Sequence, residues 1–244
     1  MLDAFKKFFA GPGLTEDWGP VAAWAQTQGF SFKKAKEPGG FVIGSAPGGR
    51  NWRLEFGPSQ REYIHGREVR IRGELGLPQD LQMLVMSLSL VEALERKTFD
   101  AFTESNQTQI DTSTPDEVRW LVMFQRVNLS MAKALKPLFA AVAASSTHGT
   151  AWLNGPLAAQ LERASMRLMN GKPPFVLMTQ RGNLYLRMQA PDVDEQLLTE
   201  LLTLFETAAA SALQVAGGRA SDAGTPSRSS GSSWGDSAGP GLRR

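Results

Sequence analysis

The stretch of residues 51–75 constrains the fold more than any other part of the chain, because its apolar and polar residues alternate. In NWRLEF, Trp52 and Phe56 fall on one side of an extended chain, and in REVRIRGEL the same holds for Val69 and Ile71. The charged residues between them fall on the other side. The runs FSFKKA and GGFVIG come before this stretch, and Gly, Pro and Ser separate the runs. This pattern predicts an antiparallel meander with one apolar face.

Arginines dominate the polar side of this meander. Arg53, Arg70 and Arg72 lie opposite the apolar residues, and glutamates are interleaved with them. Cross-strand Arg–Glu pairs are typical of a solvated sheet face. On such a face, Arg70→Ala should lower the free energy of unfolding by under about 1 kcal/mol. The alternative is a face that binds an anion or a partner, with these three arginines as binding residues. A nucleic-acid face needs aromatic residues on the same side, but Trp52 and Phe56 lie opposite, so no specific nucleic acid is expected.

Three short apolar runs predict further strands: QMLVM (82–86), WLVMF (120–124) and FVLM (175–178). Runs of this length between polar or turn residues are typical of central strands buried on both faces. The third run turns back through QRGN into LYLRMQ, which predicts a β-hairpin. The sequence therefore predicts an α+β fold, with an antiparallel meander sheet, mixed central strands and flanking helices.

Helical patterns separate these strands. Helices are predicted to begin near Asp17, after QMLVM, at Pro156 and after Asp192, and a further helix is predicted for NLSMAKALKPLFAAVAAS (128–145). Residues 2–9 form an amphipathic helix in this interpretation, with phenylalanines on one side and lysines on the other.

The polar segment TESNQTQIDTSTPDE (103–117) is the best internal boundary. It predicts an N-terminal α+β half (1–106), a C-terminal α+β half (107–215) and a disordered tail rich in Gly, Ser, Ala and Pro (216–244). The four arginines and two aspartates of the tail account for the whole formal net charge of +2, so residues 1–215 are neutral. A neutral body argues against binding to phosphate backbones.

The residue types present exclude several kinds of chemistry. The absence of cysteine excludes disulfides, thiolate metal sites and a cysteine nucleophile, in keeping with a reducing cytoplasm. His65, placed in a strand, and His148, placed in a loop, have no further ligands at metal-binding spacing, and no GxSxG or complete P-loop motif occurs. The sequence predicts no catalytic residue, no metal and no cofactor. No apolar run reaches the roughly 20 residues that cross a bilayer, and no signal peptide is recognised.

Three segments, GPSQREYIHGREVRIRGELGLP, FDAFTES and STPDEVRWLVMF, resemble segments of a group of uncharacterised bacterial soluble proteins. The resemblance covers residues 15–215. It implies a bacterial, cytoplasmic protein, and it carries over no catalytic residue.

These patterns leave three functions open. The favoured one is a non-enzymatic protein-interaction or adaptor module with an unknown protein partner, for which the charged sheet face offers a surface. The second is a small-molecule enzyme or anion-binding protein that uses arginine and carboxylate residues, which requires a concave pocket where these groups converge. The third is peripheral membrane association through residues 2–9, a weak contact for so short a helix.

Overall fold

The computed structural model describes residues 17–36, 39–104, 114–130 and 132–223. The strands of this part of the chain are β1 (Ser31–Lys34), β2 (Phe41–Gly44), β3 (Trp52–Pro58), β4 (Arg67–Glu74), β5 (Met83–Ser87), β6 (Gln125–Arg126), β7 (Phe139–Ala143), β8 (Phe175–Gln180) and β9 (Asn183–Gln189). They form one sheet in the order β1-β2-β3-β4-β9-β8-β5-β7-β6. Every pairing in it is antiparallel.

The helices of the same residues are α1 (Gly19–Thr27), α2 (Leu88–Glu104), α3 (Asp116–Met123), α4 (Ser146–Trp152), α5 (Pro156–Leu168) and α6 (Glu195–Ala223). A short 3₁₀ turn, Lys133–Leu135, precedes β7. Among these described helices, none combines the length and the apolar character needed to span a membrane. The predicted α+β class is therefore confirmed.

The helices cover the two faces of the sheet unequally. Helices α1, α4, α5 and α6 contribute to the larger core on the first face, where Trp152 and Phe205 are fully buried. Helices α2 and α3 contribute to a smaller core on the second face, where Trp120 belongs to the same cluster as Leu84 of β5 and Val176 of β8. The rest of the second face, formed by β3, β4 and β9, carries charged side chains.

The alternating stretch forms the β3–β4 pair that its period predicts. Its apolar residues are buried, with Leu54 paired to Ile71 and Phe56 paired to Val69. The predicted hairpin β8–β9 also forms. Its turn contains Gly182 with a φ of 81°, a left-handed conformation that favours glycine.

Three local predictions are wrong. WLVMF is not a strand, because residues Asp116–Met123 form α3. This helix follows Pro115 and has Asp116 and Glu117 in its first turn, where the helix dipole favours carboxylates. Within the predicted helix 128–145, FAAVA forms β7. All five of its residues are buried between β5 and β6, and this packing outweighs the helix propensity of alanine. The central strands pair antiparallel, so the expectation of mixed pairing is corrected as well.

The segment 103–117 does not divide the sheet. The strands β8 and β9, which follow this segment in the chain, lie between β4 and β5, which precede it. The division into the halves 1–106 and 107–215 stays a prediction. Helix α6 continues to Ala223, into the predicted tail 216–244. Residues 224–244 and 2–9 lie outside the described residues, together with the predictions made for them.

Candidate binding face

Three neighbouring strands place polar side chains together on the second face of the sheet. On β4, residues 68, 70 and 72 point to this face because the apolar residues between them point into the larger core. We call this patch the charged face, and its members are Arg53, Glu55, Glu68, Arg70, Arg72, Tyr185 and Arg187. The cross-strand register arranges them in rows, and the rows differ in their exposure to solvent.

The outer row of the charged face consists of Arg53, Arg72 and Tyr185, with Arg72 directly between the other two. The side chains of Arg53 and Arg72 are 64% and 55% exposed. Arg53 Nε lies 2.6 Å from Glu55 Oε1, and Arg72 Nη2 lies 3.8 Å from Glu74 Oε1. The guanidinium carbon of Arg72 is 5.7 Å from the centroid of the Tyr185 ring, within the range of a cation–π contact. Two exposed arginines and a half-buried tyrosine, which packs against the smaller core, thus lie side by side.

The inner row, formed by Glu68, Arg70 and Arg187, is largely shielded from solvent. Arg70 lies between Glu55 and Arg187 in the register, and its side chain is only 16% exposed. Glu68 is fully buried, and its Oε1 accepts hydrogen bonds from Arg70 Nη1 and Arg187 Nη1, both at 3.0 Å. Arg70 Nη2 donates to Glu55 Oε2 at 3.0 Å. The expectation of a solvated face therefore holds for Arg53 and Arg72 and is wrong for Arg70.

One carboxylate connects the two rows. Glu55 Oε1 faces the exposed Arg53, and Glu55 Oε2 accepts from the shielded Arg70. Because Arg70 in turn bonds the buried Glu68, a continuous series of ion pairs runs from the solvent-exposed Arg53 to Arg187. This series holds Glu55 in place beside Arg53.

The loop 59–66 between β3 and β4 covers the inner row. The main-chain N–H of Gln60 donates to Glu68 Oε1 at 2.9 Å, and the N–H of Ser59 donates to the Gly66 carbonyl at 3.0 Å. His65 lies in this loop and not in a strand, and its main-chain N–H donates to the Gln189 side chain at 3.3 Å. The loop is thus fixed to the sheet on both of its sides.

A second buried carboxylate fixes the same loop to α3. Glu117 Oε1 accepts hydrogen bonds from Arg61 Nε and from the Tyr63 hydroxyl, both at 2.6 Å. Burial acts to raise the pKa of Glu117, but the hydrogen bonds from Arg61 and Tyr63 outweigh it and hold the pKa below its ordinary value. Burial raises the pKa of the Tyr63 hydroxyl, and the neighbouring charge of Glu117 raises it further. Glu117 is therefore an ionised acceptor at neutral pH, and Tyr63 is a neutral donor.

This arrangement is suited to binding through fixed positive charges. Glu68 and Glu117 are buried and already bonded to arginines, whereas a general base must reach its substrate. In the part of the chain that the structure describes, no three His, Asp or Glu residues are placed to hold a metal ion. His148 lies in α4, not in a loop, where its main-chain N–H donates to Ser145 Oγ at 3.4 Å. The exposed guanidiniums remain as the groups available to a ligand, and they recognise carboxylates and phosphates.

The sequence indicated Arg53, Arg70 and Arg72 but not Tyr185, Arg187 or the buried Glu68. A signal for two of these was present, because LYLRMQ alternates and places Tyr185 and Arg187 on the face opposite its leucines. What the alternation lacks is the identity of the neighbouring strand. The pairing of β9 with β4 joins residues more than a hundred positions apart in the chain.

Comparisons with known proteins give little further information. No protein-family model matches the chain. No curated protein matches it either. Among solved structures, the mycobacterial trehalose monomycolate transport factor A, TtfA, is similar at a TM-score of 0.46 and 8% identity, over 81% of this chain and 94% of that one. The resemblance to uncharacterised bacterial proteins stays a prediction.

Proposed function

We propose that this protein is a non-enzymatic interaction module that binds an acidic segment of a protein partner on the outer row of its charged face. The observation that carries the proposal is the side-by-side placement of the exposed Arg53 and Arg72 and the half-buried Tyr185 on three paired strands. Arginine and tyrosine are enriched among the residues that dominate binding energy at protein interfaces.

The register of the two arginines favours a negatively charged ligand. Arg53 and Arg72 are direct cross-strand partners, and like charges in that position destabilise a sheet. Glu55 and Glu74 offset this repulsion only in part, because the Arg72–Glu74 pair is long at 3.8 Å and exposed. A carboxylate bound between the two guanidiniums relieves the repulsion that remains, so the free protein is disposed to bind one.

The bonded position of Glu55, which pairs with the exposed Arg53, supports a binding role as well. Binding requires side chains to give up rotational freedom, at a cost of about 0.5–1.5 kcal/mol for each flexible side chain. The series of ion pairs from Glu55 to Glu68 meets part of this cost in the free protein. The outer row is thereby prepared for a partner.

The test compares proteins captured from the native host by the wild-type chain and by a double charge reversal, Arg53→Glu with Arg72→Glu, using cross-linking and mass spectrometry. The matched control is Lys33→Glu with Lys34→Glu, which changes charge by the same amount on β1 at the far edge of the described sheet, where both lysines are exposed. The expected result is a partner retained by the wild type and the control and lost from the Arg53/Arg72 variant.

Two outcomes would contradict the proposal. One is an identical set of captured proteins for all three chains. The other is submicromolar binding of DNA or RNA by the wild type that is lost in the Arg53/Arg72 variant, measured by fluorescence anisotropy near physiological salt. Binding that tight exceeds non-specific contacts, whose dissociation constants are about 10⁻⁴–10⁻⁶ M. The alternative of a small anion as the ligand uses the same two guanidiniums. It predicts saturable binding of inorganic phosphate or citrate in calorimetry, without a captured protein.

A further inference from the structure

The two exposed arginines of the outer row are paired with carboxylates that are held with different firmness. Glu55 Oε1 lies 2.6 Å from Arg53 Nε, and Glu55 Oε2 accepts from the shielded Arg70 at 3.0 Å. Glu74 Oε1 lies 3.8 Å from Arg72 Nη2, beyond hydrogen-bond distance, and the Glu74 side chain is 67% exposed. Glu55 is thus bonded on two sides, whereas the Glu74 carboxylate is loosely held.

The backbone keeps this loosely held carboxylate close to Arg72. Glu74 is the last residue of β4, and Arg72, two positions before it, lies on the same face. The main-chain N–H of Glu74 donates to the Asn51 carbonyl at 3.3 Å, and the N–H of Leu75 donates to the Gly182 carbonyl at 3.1 Å. Rotation of its own side chain is therefore enough to move the Glu74 carboxylate away from Arg72 while the strand stays in place.

A carboxylate that arrives at Arg72 meets Glu74 as a competitor. Both carboxylates seek the same guanidinium, and their like charges repel each other. An exposed ion pair of this kind corresponds to a factor of up to about five in an equilibrium constant. The Arg72–Glu74 pair thus lowers the affinity of the free protein for an anion at Arg72 by a factor of that order.

We propose that Glu74 is an autoinhibitory residue, which pairs with Arg72 in the free protein and is displaced by a carboxylate of the partner's acidic segment. The role of Glu74 rests on the proposed function, and it names the contact that regulates the site. Glu55 stays in place during binding, because its departure would take an acceptor from the shielded Arg70. The exchange of one carboxylate for another at Arg72 keeps that guanidinium paired.

The test follows the Nε–H signal of Arg72 by ¹H–¹⁵N NMR while hexaglutamate, a short peptide made only of glutamate, is added at low, constant salt. Glu74→Gln removes the competing carboxylate, whereas Glu74→Asp keeps its charge and withdraws it from Arg72 by one methylene. The matched control is Glu162→Gln, at an exposed position on α5, which packs on the first face. We expect the dissociation constant to fall about two- to fivefold in both Glu74 variants and to stay unchanged in the control.

The aspartate variant separates competition for Arg72 from a general effect of charge. If Glu74→Asp binds hexaglutamate like the wild type while Glu74→Gln binds it more tightly, charge alone is responsible and the proposal is overturned. Equal binding by Glu74→Gln and the wild type also overturns it, but leaves the proposed function standing because the peptide still binds at Arg72. If no protein of the set binds the peptide at Arg72, the autoinhibitory role is overturned, and the capture experiment decides the proposed function separately.

Discussion

Replacing Tyr63 by phenylalanine isolates the hydrogen bond that fixes the loop 59–66 to α3. The substitution removes the hydroxyl that donates to Glu117 Oε1 at 2.6 Å and keeps the ring in the smaller core. A hydrogen bond to a charged group contributes about 1.5–3 kcal/mol. We therefore expect the free energy of unfolding to fall by about 2 kcal/mol at pH 7. For a chain of this size, the melting temperature then falls by about 4–8 °C.

The same substitution should change the dependence of stability on pH. The folded-state pKa of Glu117 lies below its ordinary value of 4.5, so the ionised carboxylate contributes stability that is fully present above pH 4.5. This contribution is lost as the pH falls through the folded-state pKa. Without the Tyr63 hydroxyl, the pKa of Glu117 moves back toward its ordinary value. The stability difference between wild type and variant should therefore be constant above about pH 6 and shrink below pH 4.5.

Urea unfolding followed by circular dichroism between pH 3 and pH 8 measures both effects. The chain contains one other tyrosine, Tyr185, whose hydroxyl makes no hydrogen bond in the described part of the structure. Tyr185→Phe is thus a matched control and should change the free energy of unfolding by less than about 0.5 kcal/mol. The reasoning is refuted if Tyr63→Phe also stays within that limit, or if its effect is as large at pH 3 as at pH 7.

Two further predictions follow from burial and one from composition. Arg70→Ala should lower the free energy of unfolding by on the order of 3 kcal/mol, because it removes a partner of the buried Glu68. Arg53→Ala, at an exposed side chain, should lower it by less than about 1 kcal/mol. Equal losses in urea unfolding would contradict the assigned burial. Trp152→Phe removes the Nε1–H that donates to the buried Ala208 carbonyl at 3.0 Å, and should lower stability by at least about 1 kcal/mol in a thermal melt. Removing residues 224–244, whose Gly- and Ser-rich composition offers little apolar surface, should leave the melting temperature within a few degrees, and a large fall would show that they pack on the body.

Period-2 alternation was sufficient to predict β3, β4 and β9, because each of these strands has one buried face. The strand β8 was predicted from its short apolar run, which is buried on both faces. Local pattern was not sufficient where the environment overrides local preference. FAAVA reads as a helix, and only its place between β5 and β6 makes it a strand. WLVMF reads as a buried strand because its five residues are apolar, yet Val122 and Met123 are among the most exposed apolar side chains of the described structure. The signal against a strand was local and lay just before the run, in Pro115 and the two acidic residues that follow it.

The burial of Glu68 shows a different limit of sequence analysis. Alternation correctly places Glu68 on the same face as Arg70 and Arg72, but it does not tell which part of that face is covered. The cover is the loop 59–66, and the loop is held by Glu117, more than fifty residues further along the chain. A glutamate with three donors around one oxygen and a glutamate in water have the same sequence signature. Tertiary contacts alone distinguish them.

The buried ion pairs of the inner row are better explained by orientation than by stability. Taking Glu68, Arg70 and Arg187 out of water costs several kcal/mol for each ion, and apolar residues of similar volume commonly stabilise a fold as well or better. An apolar inner row would leave Glu55 with only the exposed Arg53 as its partner, and exposed pairs hold their side chains weakly. With Arg70 present, Glu55 is fixed from the buried side and offers the exposed Arg53 a carboxylate at a defined position. The inner row thus gives the outer row a defined geometry, which a surface that recognises a partner through arginines requires.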